Sequence, residues 1–125
     1  MRNWKYRKVN TIESISIELE KIKNLHLVKT LQIEVLRKAV LKGKLFISEN
    51  LFIQVYRNDR FKTTNFALVL NKKRIYARDE LKGQWHRHSL GNPSLHDESE
   101  EGQKECNLQY FWKEAIKILR DKSIL

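Results

Sequence analysis

The connections in the middle of the chain are too short for anything but antiparallel strand pairing. Leu45 to Ser48 and Leu51 to Arg57 are rich in β-branched and aromatic residues and are joined by Glu49-Asn50. Asn58-Asp59 begins the next turn, and Thr63 to Leu70 makes another strand. Asn71-Lys72-Lys73 turns the chain into Arg74 to Asp79, and Lys82-Gly83 turns it again ahead of Trp85-His86-Arg87-His88. Strand propensity and turn chemistry agree at each boundary. A parallel pair needs a crossover of roughly a dozen residues or more, so these segments form a meander.

Helical spacing brackets the meander. Thr11 is a suitable N-cap, and Ile12, Ile15, Leu19 and Ile22 then recur on one face, so a helix is predicted from about Ile12 to Asn24. At the other end Asn107 caps a segment in which Leu108, Phe111, Trp112, Ala115, Ile116 and Leu119 form an apolar stripe. Leu31 to Leu41 fits both periods. Leu31, Ile33 and Val35 alternate as in a strand, while Val28, Leu31, Val35 and Ala39 match a helix. The expected fold is α+β: an antiparallel β-meander of about five to six strands, with an N-terminal and a C-terminal helix packed on one face.

With 125 residues the chain is expected to form one domain, comprising a basic arm over residues 1–10 and an acidic polar loop over residues 94–106. A hydrophobic share of 41% beside 32% charged residues excludes global disorder. The longest apolar run, Phe66 to Leu70, is far below the roughly 20 residues a membrane span needs, and the basic, polar start carries no secretory pattern. A single cysteine, Cys106, excludes an intramolecular disulfide and suits a reducing cytoplasm.

The formal net charge of +10 is concentrated before Pro93, in an arm carrying Arg2, Lys5, Arg7 and Lys8 and in the Lys72-Lys73-Arg74 cluster. Such a surplus favours a polyanionic partner, because neutralised phosphates release condensed counterions; the alternative is that it serves solubility alone. The strand from Arg74 adds to the first reading. Arg74, Tyr76 and Arg78 alternate with Ile75 and Ala77, so a charged and aromatic face is expected opposite an apolar one. Arginine grips phosphate bidentately and tyrosine stacks on bases. The alternative is that Tyr76 lies half-buried and the arginines solvate an outer face.

Three of the four histidines fall within Trp85 to Asp97: His86, His88 and His96. On a strand, His86 and His88 share a face while Trp85 and Arg87 take the other. In an acid–base reading a histidine accepts the proton of a ribose 2′-hydroxyl, Arg78 or Arg87 stabilises charge on the phosphate, and no cofactor is required. In a metal reading His86, His88 and His96, with Asp97 as a further donor, hold zinc or another divalent ion. The bland reading is that these are hydrogen-bonded histidines at a strand end. There is no Gly-rich phosphate loop, cysteine pair or Gly-x-Ser-x-Gly elbow.

The succession Phe52-Ile53-Gln54-Val55-Tyr56, Phe66-Ala67-Leu68, Arg74-Ile75-Tyr76 and Trp85-His86-Arg87-His88 with Asn92-Pro93 and His96 resembles the TumE-type toxins of prokaryotic toxin–antitoxin modules. The resemblance covers roughly Leu45 to Leu119. It implies a β-meander leading into a His- and Pro-containing loop and a C-terminal helix. It also implies a growth-inhibiting toxin that acts on RNA or translation and is neutralised by a cognate antitoxin protein. Combined with the residue chemistry, the expectation is a toxin-like protein acting on RNA. It would be a ribonuclease with His86, His88 and His96 in the site and Lys72, Lys73, Arg74, Tyr76, Arg78 and Arg87 on nucleic acid. A non-catalytic nucleic-acid- or partner-binding module and a metal-stabilised interaction protein are the alternatives. An exposed edge strand at either end of the meander also offers a route to a homodimer.

Overall fold

The computed structural model describes residues 10–88 and 99–125. Helix α1 (Ile12–Ile22) is followed by six strands, β1 (Thr30–Leu36), β2 (Val40–Ser48), β3 (Leu51–Asn58), β4 (Thr63–Leu70), β5 (Lys73–Leu81) and β6 (Gln84–His88), and then by helix α2 (Leu108–Asp121). The strands lie in one sheet in the order of the chain, every neighbouring pair antiparallel. This is the α+β meander expected from the sequence, with its edges at β1 and β6.

Local chemistry explains the boundaries. Thr11 and Ser14 close a reciprocal capping box at the start of α1, and Asn107 Oδ1 accepts from the Tyr110 amide at the start of α2. Asn71 and Lys72 both have positive φ, as do Lys82 and Gly83. Two-residue hairpin connections need such left-handed pairs to match the twist of the flanking strands. The segment that fitted both periods is resolved as strand: β1 ends at Leu36 and the chain returns through β2 from Val40. Strand β2 runs straight through Gly43, where a Cβ would come within 3.1 Å of the Gln32 carbonyl oxygen and 3.2 Å of Ile33 Cδ1. The glycine is therefore a point of close approach between β1 and β2.

Both helices cover the same face of the sheet. Ile15, Leu19 and Ile22 of α1 and the full apolar stripe of α2 join Leu41, Leu45, Ile53, Val55, Phe66 and Leu68 in one core. Phe111 sits between Phe66 and Tyr76, with ring centroids 5.7 Å and 5.6 Å away.

That core also contains two arginines. Arg78 is 0% exposed and forks onto Glu114 of α2, with Nε to Oε1 and Nη2 to Oε2 both 2.7 Å, while Nη1 donates to the Glu101 carbonyl. Tyr76 donates its hydroxyl to the same Glu114 carboxylate at 2.9 Å. Arg57, 2% exposed, donates to Asp59, Thr64 and Glu80, and Asp59 in turn accepts from the Ile12 amide at the start of α1. The helices are tied to each other as well, since Glu18 of α1 accepts from the Gln109 amide in the first turn of α2.

Removing one partner of a buried ion pair strands the other without water. Glu114→Ala is expected to lower stability by about 3 kcal/mol, measured by urea unfolding. The double substitution Arg78→Met with Glu114→Leu should recover most of that loss, because neither charge remains to be solvated.

Candidate functional site

Cross-strand register decides which side chains share a face. The two-residue turn at Lys82-Gly83 pairs Leu81 with Gln84, Glu80 with Trp85 and Asp79 with His86. Asp79 pairs on its other side with Asn65, and Asn65 with Tyr56. His86, Asp79, Asn65 and Tyr56 therefore lie in one row on the face away from the helices, with His88 next to it on β6.

These side chains are connected. His88 Nε2 is 2.9 Å from Asp79 Oδ2, and His86 Nε2 is 3.6 Å from the same oxygen. Asn65 donates its side-chain amide to the other carboxylate oxygen, Oδ1. The two imidazoles meet edge to face with centroids 5.3 Å apart. His86 and His88 are 8% and 4% exposed, and Asp79 is half-buried beside them. Such an arrangement orients an imidazole for proton transfer or gathers nitrogen and oxygen donors around a cation.

A groove continues from the cluster across the same face. It has a volume of about 530 Å³, and Lys44, Phe52, Gln54, Asn65, Lys72 and Arg74 are among its walls. Asn65 belongs to both, so groove and cluster are continuous. Lys44 Nζ sits 4.9 Å above the Phe52 ring and 3.3 Å from Glu34, which fixes one cation over one aromatic surface.

The residues expected on nucleic acid are divided between the two faces. Strict alternation would put Arg74, Tyr76 and Arg78 together. Instead Leu68 pairs with Tyr76 while Val69 pairs with Arg74, leaving Ile75 as the extra residue of a bulge. Beyond the bulge Arg74 turns to the open face, exposed near Lys72 and Lys73. Tyr76 and Arg78 face the helices and are engaged by Glu114. Burial alone pulls the Arg78 guanidinium down, but hydrogen bonding to Glu114 together with the charges of Tyr76 and Glu114 leaves it raised above its ordinary range. Burial and then the Glu114 charge push the Tyr76 hydroxyl well above its ordinary range. Both are structural members of the core, and they do not reach a phosphate or a base.

Arg87 pairs with Arg78 and so lies across the sheet from His86 and His88. The expected combination of these histidines with Arg78 and Arg87 is not assembled. His96 and Asp97, like the arm from Arg2 to Lys8, lie outside the described residues. Asp79, which sequence reading did not group with the histidines, lies beside His86 and His88. The Lys82-Gly83 turn was the signal for it, since a two-residue loop puts Asp79 opposite His86.

No family model, no curated protein and no solved structure matches this chain. No helix among the described residues is long and apolar enough to cross a membrane.

Cys106, at the junction before α2, stands apart from this face. It is 1% exposed, and burial followed by the Glu114 charge pushes its thiol up to about 12. Nucleophilic thiol chemistry needs the thiolate. Native protein at pH 8 is expected to resist alkylation by iodoacetamide over the time in which the urea-unfolded chain is fully modified, as read by intact mass.

Proposed function

We propose that this protein acts on RNA, binding a single strand along the helix-free face of its sheet. The observation that carries this reading is the make-up of that face. Lys44, Lys72 and Arg74 border the groove, Phe52 supplies a ring within it, and Gln54 and Asn65 add hydrogen-bonding groups. Cationic grooves track the phosphodiester backbone, while exposed rings stack bases without requiring a defined sequence. The amides of Gln54 and Asn65 carry both donors and acceptors, which suits the edges of unpaired bases. The net charge of +10 acts in the same direction by steering polyanions toward the surface.

Cleavage is a second reading, favoured by the hydrogen bond between His88 and Asp79. A carboxylate on one nitrogen fixes the imidazole tautomer and stabilises the imidazolium formed when the ring accepts a proton. RNA lying in the groove would bring a 2′-hydroxyl toward His86 and His88 past Asn65. Together with the resemblance to TumE-type toxins, this supports the reading of the protein as the RNA-directed toxin of a toxin–antitoxin pair, with a protein antitoxin as its partner.

A fluorescent single-stranded RNA tests both readings. Lys44→Ala and Arg74→Ala are each expected to weaken binding and to flatten the dependence of log Kd on log salt by about 0.7 for each phosphate that is no longer neutralised. His88→Ala should leave that binding nearly unchanged while reducing cleavage by at least about 100-fold. Binding that is absent at low salt, or unaffected by both cation substitutions, would overturn the RNA reading. Binding without cleavage would leave the protein as an RNA-binding module.

A further inference from the structure

We propose that Asp79, His86 and His88 form a binding site for a divalent transition-metal ion of the zinc class. One donor atom from each residue lies within 4.8 Å of the others. The Asp79 Oδ2 distances to the two Nε2 atoms are 2.9 Å and 3.6 Å. Zinc bonds to nitrogen and oxygen are about 2.0–2.1 Å, so neighbouring donors of a tetrahedral site stand about 3.3–3.4 Å apart. These two separations bracket that edge, and the third, between the two imidazole donors, lies within 4.8 Å, so side-chain adjustment alone would bring the three donors onto one centre.

Asp79 Oδ2 faces both imidazoles, and a divalent ion would bind that oxygen and both nitrogens at one centre. Asn65 already occupies Oδ1, which leaves Oδ2 directed at the histidines. An outer partner of this kind fixes a ligating carboxylate and is a regular part of protein metal sites. The ligands sit on paired strands, with Asp79 opposite His86 in the ladder and His88 two residues further along β6. Their backbones are therefore held before any ion arrives.

Two imidazoles with one carboxylate select zinc, cobalt or nickel over magnesium and calcium, which prefer all-oxygen shells. Three protein donors also leave one position of a tetrahedron for water or another small ligand.

Zinc binding needs no RNA, so its test is run without RNA and is decided separately from the RNA reading. Full-length protein, stripped with EDTA and dialysed, is titrated calorimetrically with zinc chloride, and its Tm is followed with and without zinc. One ion per chain and a raised Tm are expected. His86→Ala, His88→Ala and Asp79→Asn should each weaken zinc binding by at least about tenfold. His26→Ala, which removes an exposed histidine on the loop after α1, should leave it unchanged. Magnesium chloride should produce no comparable shift. Should the variants fold poorly, the wild-type protein with cobalt chloride still decides the matter, because an imidazole–carboxylate site of low coordination number gives intense visible bands that excess zinc removes. No zinc binding by wild type, an affinity unaltered by the cluster substitutions, a comparable loss in His26→Ala, or a cobalt spectrum identical to that of the aqueous ion would each overturn the proposal.

Discussion

The guanidinium of Arg78, held without water beneath helix α2, is the constraint around which the rest of the molecule is arranged. A charge in that position is tolerated only when it is paired and hydrogen-bonded. Glu114 takes two of the guanidinium's five N–H donors in parallel bonds and shares its carboxylate with Tyr76, while the Glu101 carbonyl takes a third. The apolar stripe of α2 requires only that the helix lie on the sheet. The fork between Arg78 and Glu114 determines its rotation and its position along the strands. Arg57 has the corresponding role for α1 through Asp59 and the Ile12 amide. Both described helices are thereby committed to one face of the sheet.

Elements governed by local rules were legible in the sequence. The helix caps at Thr11 and Asn107, the Lys82-Gly83 turn and the short connections determine the element order without reference to tertiary structure. Strand β1 was legible only as one of two choices, because Leu31, Ile33 and Val35 alternate as in a strand while Val28, Leu31, Val35 and Ala39 equally fit a helix. The division of the arginines was hidden for a different reason. A bulge leaves no mark in residue types, and at Ile75 it moves Arg74 to the opposite face from Tyr76 and Arg78. Alternation counting cannot detect an unpaired residue that depends on how two strands meet. The pairing of His86 and His88 on one face was legible; that Arg78 would be neutralised inside the core was not, since its partner Glu114 is 36 residues away.

The open face joins two kinds of chemistry through Asn65. Its amide lines the groove and also holds Asp79, so a ligand that moves Asn65 alters the carboxylate between the histidines. An ion at that carboxylate would displace the bond between His88 Nε2 and Asp79 Oδ2 on which a proton-transfer role for His88 relies. The proposed metal occupancy and the proposed metal-free acid–base chemistry at His88 would consequently exclude one another.

The order of elements along the chain has a bearing on biosynthesis. The six strands emerge from the ribosome in the sequence in which they pair, so each hairpin can close as it appears. Helix α2 follows all of them, and until residues beyond 107 have been released Phe66, Leu68 and the Arg78 charge face solvent or a chaperone in place of their final partners. A chain stalled in that state would have α1 in place but leave bare the part of the sheet that α2 covers, open to wrong partners.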